Sequence, residues 1–137
     1  MRVPSLVLVI AGSAAALALS AAQQPAALAQ AKSGVWELSG VPGAKAPHNE
    51  CVADLQALAR YEHRGKICTS RVVSDGPSST VIAYDCGGAG FGRTQIDVLT
   101  PRSLRISTQG ISDNLPFNYV LQARRVGECG ATASSRH

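Results

Sequence analysis

The stretch TQIDVLTPRSLRIST, residues 94–108, alternates polar and apolar side chains on both sides of a Pro-Arg step. A period of two marks a half-buried β-strand, and Pro101-Arg102 between the halves is a turn signal. Leu104 and Ile106 mark the apolar face of the second half. Two strands joined by so short a connection pair antiparallel.

The same period continues in both directions. ICTSRVV (67–73) leads into the turn SDGPSS, and TVIAYDC (80–86) carries Ile82, Tyr84 and Cys86 on one side. FNYVLQARRV (117–126) puts Phe117, Tyr119, Leu121 and Ala123 on one face, and GVWELSG (34–40) opposes Trp36 and Leu38 to Glu37. Asp75-Gly76-Pro77, residues 87–92 and residues 113–116 separate the strands as turns. VPGAKAPHNE (41–50) reads as a loop broken by Pro42, Gly43 and Pro47. From Cys51 to His63 the period changes: Val52, Leu55, Leu58 and Ala59 recur at helical spacing, with Asn49 as N-cap and Gly65 as stop. The expected fold is mainly β (α+β): an antiparallel meander of about six strands, forming a curved sheet or partial barrel, with one helix packed on it.

CGGAGFGRT (86–94) comes one residue short of the phosphate-binding pattern G-x-x-x-x-G-K-[ST], with Arg93 where lysine belongs. A phosphate loop needs a helix directly after the glycines, so that its first amides face the phosphates. Here a strand follows. The stretch is therefore expected to be a hairpin turn, with no nucleotide and no cofactor.

Upstream, Met1-Arg2 precedes the apolar run LVLVIAGSAAALAL (6–19), and Gln23-Gln24 follow. That is the layout of a secretory signal peptide. Cleavage requires small side chains at the last and third-last positions of the leader. Ser20-Ala21-Ala22 supplies them early; Ala27-Leu28-Ala29 and Ala29-Gln30-Ala31 supply them late. A start near Gln30 or Lys32 is expected, giving a leader over 1–29, with cleavage between 22 and 31, and one domain over 30–137. The alternative, an uncleaved anchor over 3–22, has the length to span a bilayer. No cysteine ends the apolar run, which argues against a lipoprotein anchor.

The four cysteines, Cys51, Cys68, Cys86 and Cys129, all lie in the expected mature part. Their even number in an exported small domain implies two disulfides, and the lack of C-x-x-C spacing argues against zinc. Three pairings are possible. Stapling a helix that opens at Cys51 to the next strand favours Cys51–Cys68 with Cys86–Cys129. The rival pair, Cys68–Cys86, would lie directly across a hairpin.

Catalytic signals are sparse. His48, His63 and His137 lie in a proline-flanked loop, at a helix end and at the last position, and no metal site is expected. No G-x-S-x-G occurs. The net charge of +4 includes Arg60, Arg64, Lys66 and Arg71 near the helix end and the pair Arg124-Arg125. Side chains of successive strand residues point to opposite faces, so that pair cannot line one groove. In an exported protein such charge faces anionic envelope components rather than nucleic acid.

A signal peptide followed by SGVWELS, a cysteine at a helix start, YDCGGAGFGRT and the closing RRVGEC resembles the domain-of-unknown-function family numbered 3617, small exported proteins of Gram-negative bacteria. The resemblance runs from Gly34 to Cys129. It implies a periplasmic location and an uncharacterised role, and it transfers no catalytic residue.

Two functions of different class follow. The first is a non-enzymatic periplasmic binding or envelope-associated module. It would take a small apolar ligand or an anionic envelope component on the concave face of the sheet, with Trp36, Tyr84, Phe117 and Tyr119 as contacts unless those aromatics form the core. The second is a small periplasmic hydrolase in which Asp85, Asp97 or Asp113 meets His48 or His63.

Overall fold

A computed structural model describes residues 24–130. The expected leader over 1–29 lies outside the described residues up to residue 23. Seven strands form one unclosed antiparallel sheet: β1 (Gly34–Ser39), β2 (His48–Val52), β3 (Thr69–Asp75), β4 (Ser79–Asp85), β5 (Gly90–Thr100), β6 (Ser103–Ser112) and β7 (Leu115–Gly127). Their order is β2-β1-β7-β6-β5-β4-β3, so β2 and β3 are the free edges. Three 3-10 segments accompany them: η1 (Leu28–Gln30) ahead of β1, η2 (Leu55–His63) between β2 and β3, and η3 (Gly87–Ala89) between β4 and β5.

The strands read in residues 94–108 pair as expected, with Ile96 opposite Ile106 and Val98 opposite Leu104. All four are buried. The β6–β7 turn is a two-residue hairpin in which Asp113 and Asn114 both have positive φ, 49° and 66°. Asp and Asn tolerate that conformation, and its twist matches that of the flanking strands.

The seventh strand is β2, which occupies residues expected to be loop and helix start. Val35 pairs with Cys51 and Glu37 with Asn49, so Asn49 is a strand residue and not a helix cap. Asp54 caps η2 instead, its Oδ1 accepting from the Gln56 amide at 2.9 Å. The segment is a 3-10 helix rather than an α-helix, with a break at Arg60. Leu55, Leu58 and Tyr61 are buried at intervals of three, the repeat of a 3-10 turn. The step from Val52 to Leu58 fits three residues per turn as well as it fits 3.6.

The concave side of the sheet holds the core. Leu38, Ile96, Leu104, Ile106 and Leu121 are fully buried with Trp36, whose indole N–H donates to the Lys32 carbonyl at 3.1 Å. Leu55, Leu58 and Ala59 close over them. Thr94 and Thr108 lie buried beneath η2, their hydroxyls 2.7 Å apart, and Thr94 also donates to the Ala59 carbonyl. No buried side-chain polar atom among the described residues lacks a partner.

The disulfides are Cys51–Cys129 and Cys68–Cys86, which corrects the favoured pairing. The strand register explains both. β1 pairs with β2 through Val35–Cys51 and with β7 through Val35–Gly127, so the chain just past Gly127 lies beside Cys51. Thr69 faces Asp85 at the end of the β3–β4 ladder, which places Cys68 and Cys86 opposite each other one residue further on. No helix opens at Cys51, so the staple that favoured Cys51–Cys68 does not exist.

Candidate functional site

On the concave face, where the four aromatics are expected as contacts, η1 and η2 pack over the core. Trp36 is 0% exposed, inside the core. Tyr84, Phe117 and Tyr119 gather around the end of η2. The His63 ring lies edge-on to Tyr84 and Phe117, with centroids 5.3 and 5.8 Å away. Its Nε2 lies 3.1 Å from the Ala89 carbonyl, which can only accept, so Nε2 carries the proton. In the uncharged tautomer Nδ1 then accepts from the Tyr84 hydroxyl, 3.0 Å away. Tyr119 donates to the Glu62 carboxylate at 2.8 Å. Burial, and then the Glu62 carboxylate, push the Tyr84 phenol up to about 12. Burial and the bond to Glu62 raise Tyr119 in the same direction. These contacts hold η2 to the sheet.

The aspartates suggested for a hydrolase make structural bonds. Asp85 accepts from the Gly87 amide at 2.8 Å. Asp97 accepts from Ser79 and Gln95 at 2.8 and 2.9 Å. Asp113 sits in the hairpin turn. His48 instead meets Glu50 at 3.1 Å and the Tyr61 hydroxyl at 3.0 Å. Burial, and then Glu50, raise the Tyr61 phenol. Among the described residues no three His, Cys, Asp or Glu side chains gather as a metal site would require. The glycine stretch turns through η3 directly into β5, so its amides lead into a ladder and not into a helix.

An open trough of about 920 Å³ lies on the opposite face, away from η2, at the end of the sheet near η3. Register assembles it from side chains of outward parity on five strands. One row runs Arg71, Ala83, Arg93, Gln109, Asn118; the next runs Thr69, Asp85, Phe91, Ile111; between them Tyr84 and Phe117, two of the expected contacts, also line the trough. The sheet is thin here because Gly92 and Gly110 face each other across the β5–β6 ladder. A Cβ on Gly92 would come within 2.5 Å of the Tyr84 hydroxyl, and one on Gly110 within 2.1 Å of the Phe91 carbonyl.

Arg71 and Arg93 flank Ala83 from adjacent strands, roughly 10 Å apart along the sheet. The short methyl of Ala83 leaves a gap between them. Among the described residues neither guanidinium takes part in a salt bridge. Phe91, 53% exposed, and Ile111 supply an apolar wall beside the cations. Asp85 is the one carboxylate among the lining residues, set against the two arginines. The other adjacent pair separates as expected from strand geometry: Arg124 reaches Glu37 at 3.1 Å, while Arg125 tucks against the Ser33 carbonyl at 2.9 Å.

Of the residues that line this trough, Tyr84, Asp85 and Phe117 are legible as candidates in the sequence, whereas Arg71 and Phe91 carry no such signal, one lying among the basic residues near the helix end and the other in a glycine-rich turn. Outward parity is visible within each strand, but the rows exist only once register is known. No family model, curated protein or solved structure matches the chain.

Proposed function

We propose that this chain is an exported, non-enzymatic binding module of the periplasm, as its resemblance to the family numbered 3617 implies, and that it takes an amphipathic anion in the outer trough. The ligand class is an alkyl chain ending in a carboxylate or phosphate. The observation that carries this reading is the pair of unpaired arginines straddling Ala83 beside the exposed ring of Phe91. Two guanidiniums across a gap suit a small anion, because each can donate a fork of N–H groups. The apolar wall then covers the alkyl chain, as in clefts that combine an apolar lining with a few placed polar groups. Two disulfides in so small a domain support an oxidising compartment. No Asp–His contact among the described residues favours the hydrolase alternative.

Calorimetric titration with laurate and with dodecyl phosphate tests the reading. Saturable binding is expected, weaker for dodecanol, weakened by added salt, and reduced at least about tenfold when both arginines become alanine, a loss of about 1.4 kcal/mol. Equal binding of dodecanol and laurate, or wild-type affinity in the double variant, would reject it.

A further inference from the structure

Residues 26–31 are built into the domain. Ala27 and Leu28 are 0% exposed and join the core cluster, with Ala31 at its margin. The main-chain amides of Ala26 and Ala27 both donate to the Asp75 carboxylate, at 2.7 and 3.4 Å. The Gln30 side-chain amide donates to the Pro77 carbonyl. Asp75 ends β3 and Pro77 lies in the turn to β4, so this segment straps the free-edge hairpin to the core from the concave side.

The strap discriminates among the small-residue cleavage motifs. A cut after Ala29 or Ala31 would pull Leu28 out of the core and strip Asp75 of both amide donors. The motif Ser20-Ala21-Ala22 precedes every residue of the strap. We infer that the leader is removed by hydrolysis of the Ala22–Gln23 peptide bond, and that residues 26–31 belong to the mature fold. This rests on the export reading and places its boundary. Water adds across the bond in an export signal peptidase, leaving a carboxylate on Ala22 and an ammonium on Gln23. The new positive charge arises just upstream of the amides that Asp75 already holds.

Intact mass of the full chain, expressed in a Gram-negative host and recovered from the periplasm, tests the boundary. The expected product starts at Gln23, with or without cyclisation of that glutamine by loss of ammonia. A product starting at Gln30 or Lys32 overturns the inference while leaving export standing; retention of residues 1–22 overturns both. A second measurement tests the strap. With a heterologous leader fused directly before Lys32, the periplasmic domain is expected to melt at least about 5 °C below the chain starting at Gln23. Equal midpoints would overturn the structural role.

Discussion

His63 and Tyr84 meet at 3.0 Å beneath the sheet, and this one contact ties the last residue of η2 to the inner face of β4. The phenol lies directly over Gly92, where no other residue would leave it room. A buried histidine that reads as a candidate ligand or base in the sequence is thus a fastening between a 3-10 segment and the sheet.

The burial of Tyr84 gives stability a defined alkaline dependence. The Tyr84 phenol is pushed up to about 12 in the folded chain, first by burial and second by Glu62, against about 10 for an unfolded tyrosine. The folded state therefore holds the proton more tightly. The stability it contributes is intact below about pH 10 and is lost as pH rises toward 12. Urea midpoints measured between pH 8 and 11.5 should fall above pH 10, and Tyr84→Phe should flatten the fall. Parallel curves for the two proteins would show that Tyr84 does not carry it; Tyr119, raised in the same direction, would be the next residue to replace.

The two disulfides should differ in weight. Cys51–Cys129 spans 78 residues and Cys68–Cys86 spans 18. Chain entropy assigns them about 4.5 and about 3 kcal/mol. Paired Cys→Ser replacement of the first is expected to lower the denaturation midpoint more than replacement of the second. Non-reducing peptide mapping should recover a link between the segments around Cys68 and Cys86; a peptide joining Cys51 to Cys68 would contradict the register of β2.

The glycines of the stretch 86–94 should respond unequally. Gly90 has φ of 123°, and a Cβ there would come within 2.0 Å of the Ile111 carbonyl. Gly88 has open space around it. Gly90→Val should cost at least ~2 kcal/mol, because the conformation and the space both exclude a branched side chain. Gly88→Val should stay within ~0.5 kcal/mol, as at other exposed positions. Thermal melts of both variants decide the matter, and equal losses would place the constraint elsewhere in the turn.

Much of this architecture is legible in the chain because strand alternation and turn chemistry are local properties. Ile96, Val98, Leu104 and Ile106 announce which face is buried, and the hairpin meander follows from short connections. An even set of cysteines announces two disulfides. Three features were decided only by tertiary structure. β2 exists because β1 needs a partner on its free side, although His48, Asn49 and Glu50 carry no strand signal of their own. The disulfide pairing follows from register across β1, which joins residues far apart in sequence. The trough is the product of register across five strands, which sets Arg71 and Arg93 on either side of Ala83. A sequence shows the face to which each strand residue belongs, because that depends on neighbours along the chain. Which residue of the next strand stands beside it depends on where every hairpin begins its ladder, and that is decided only when the whole sheet has folded.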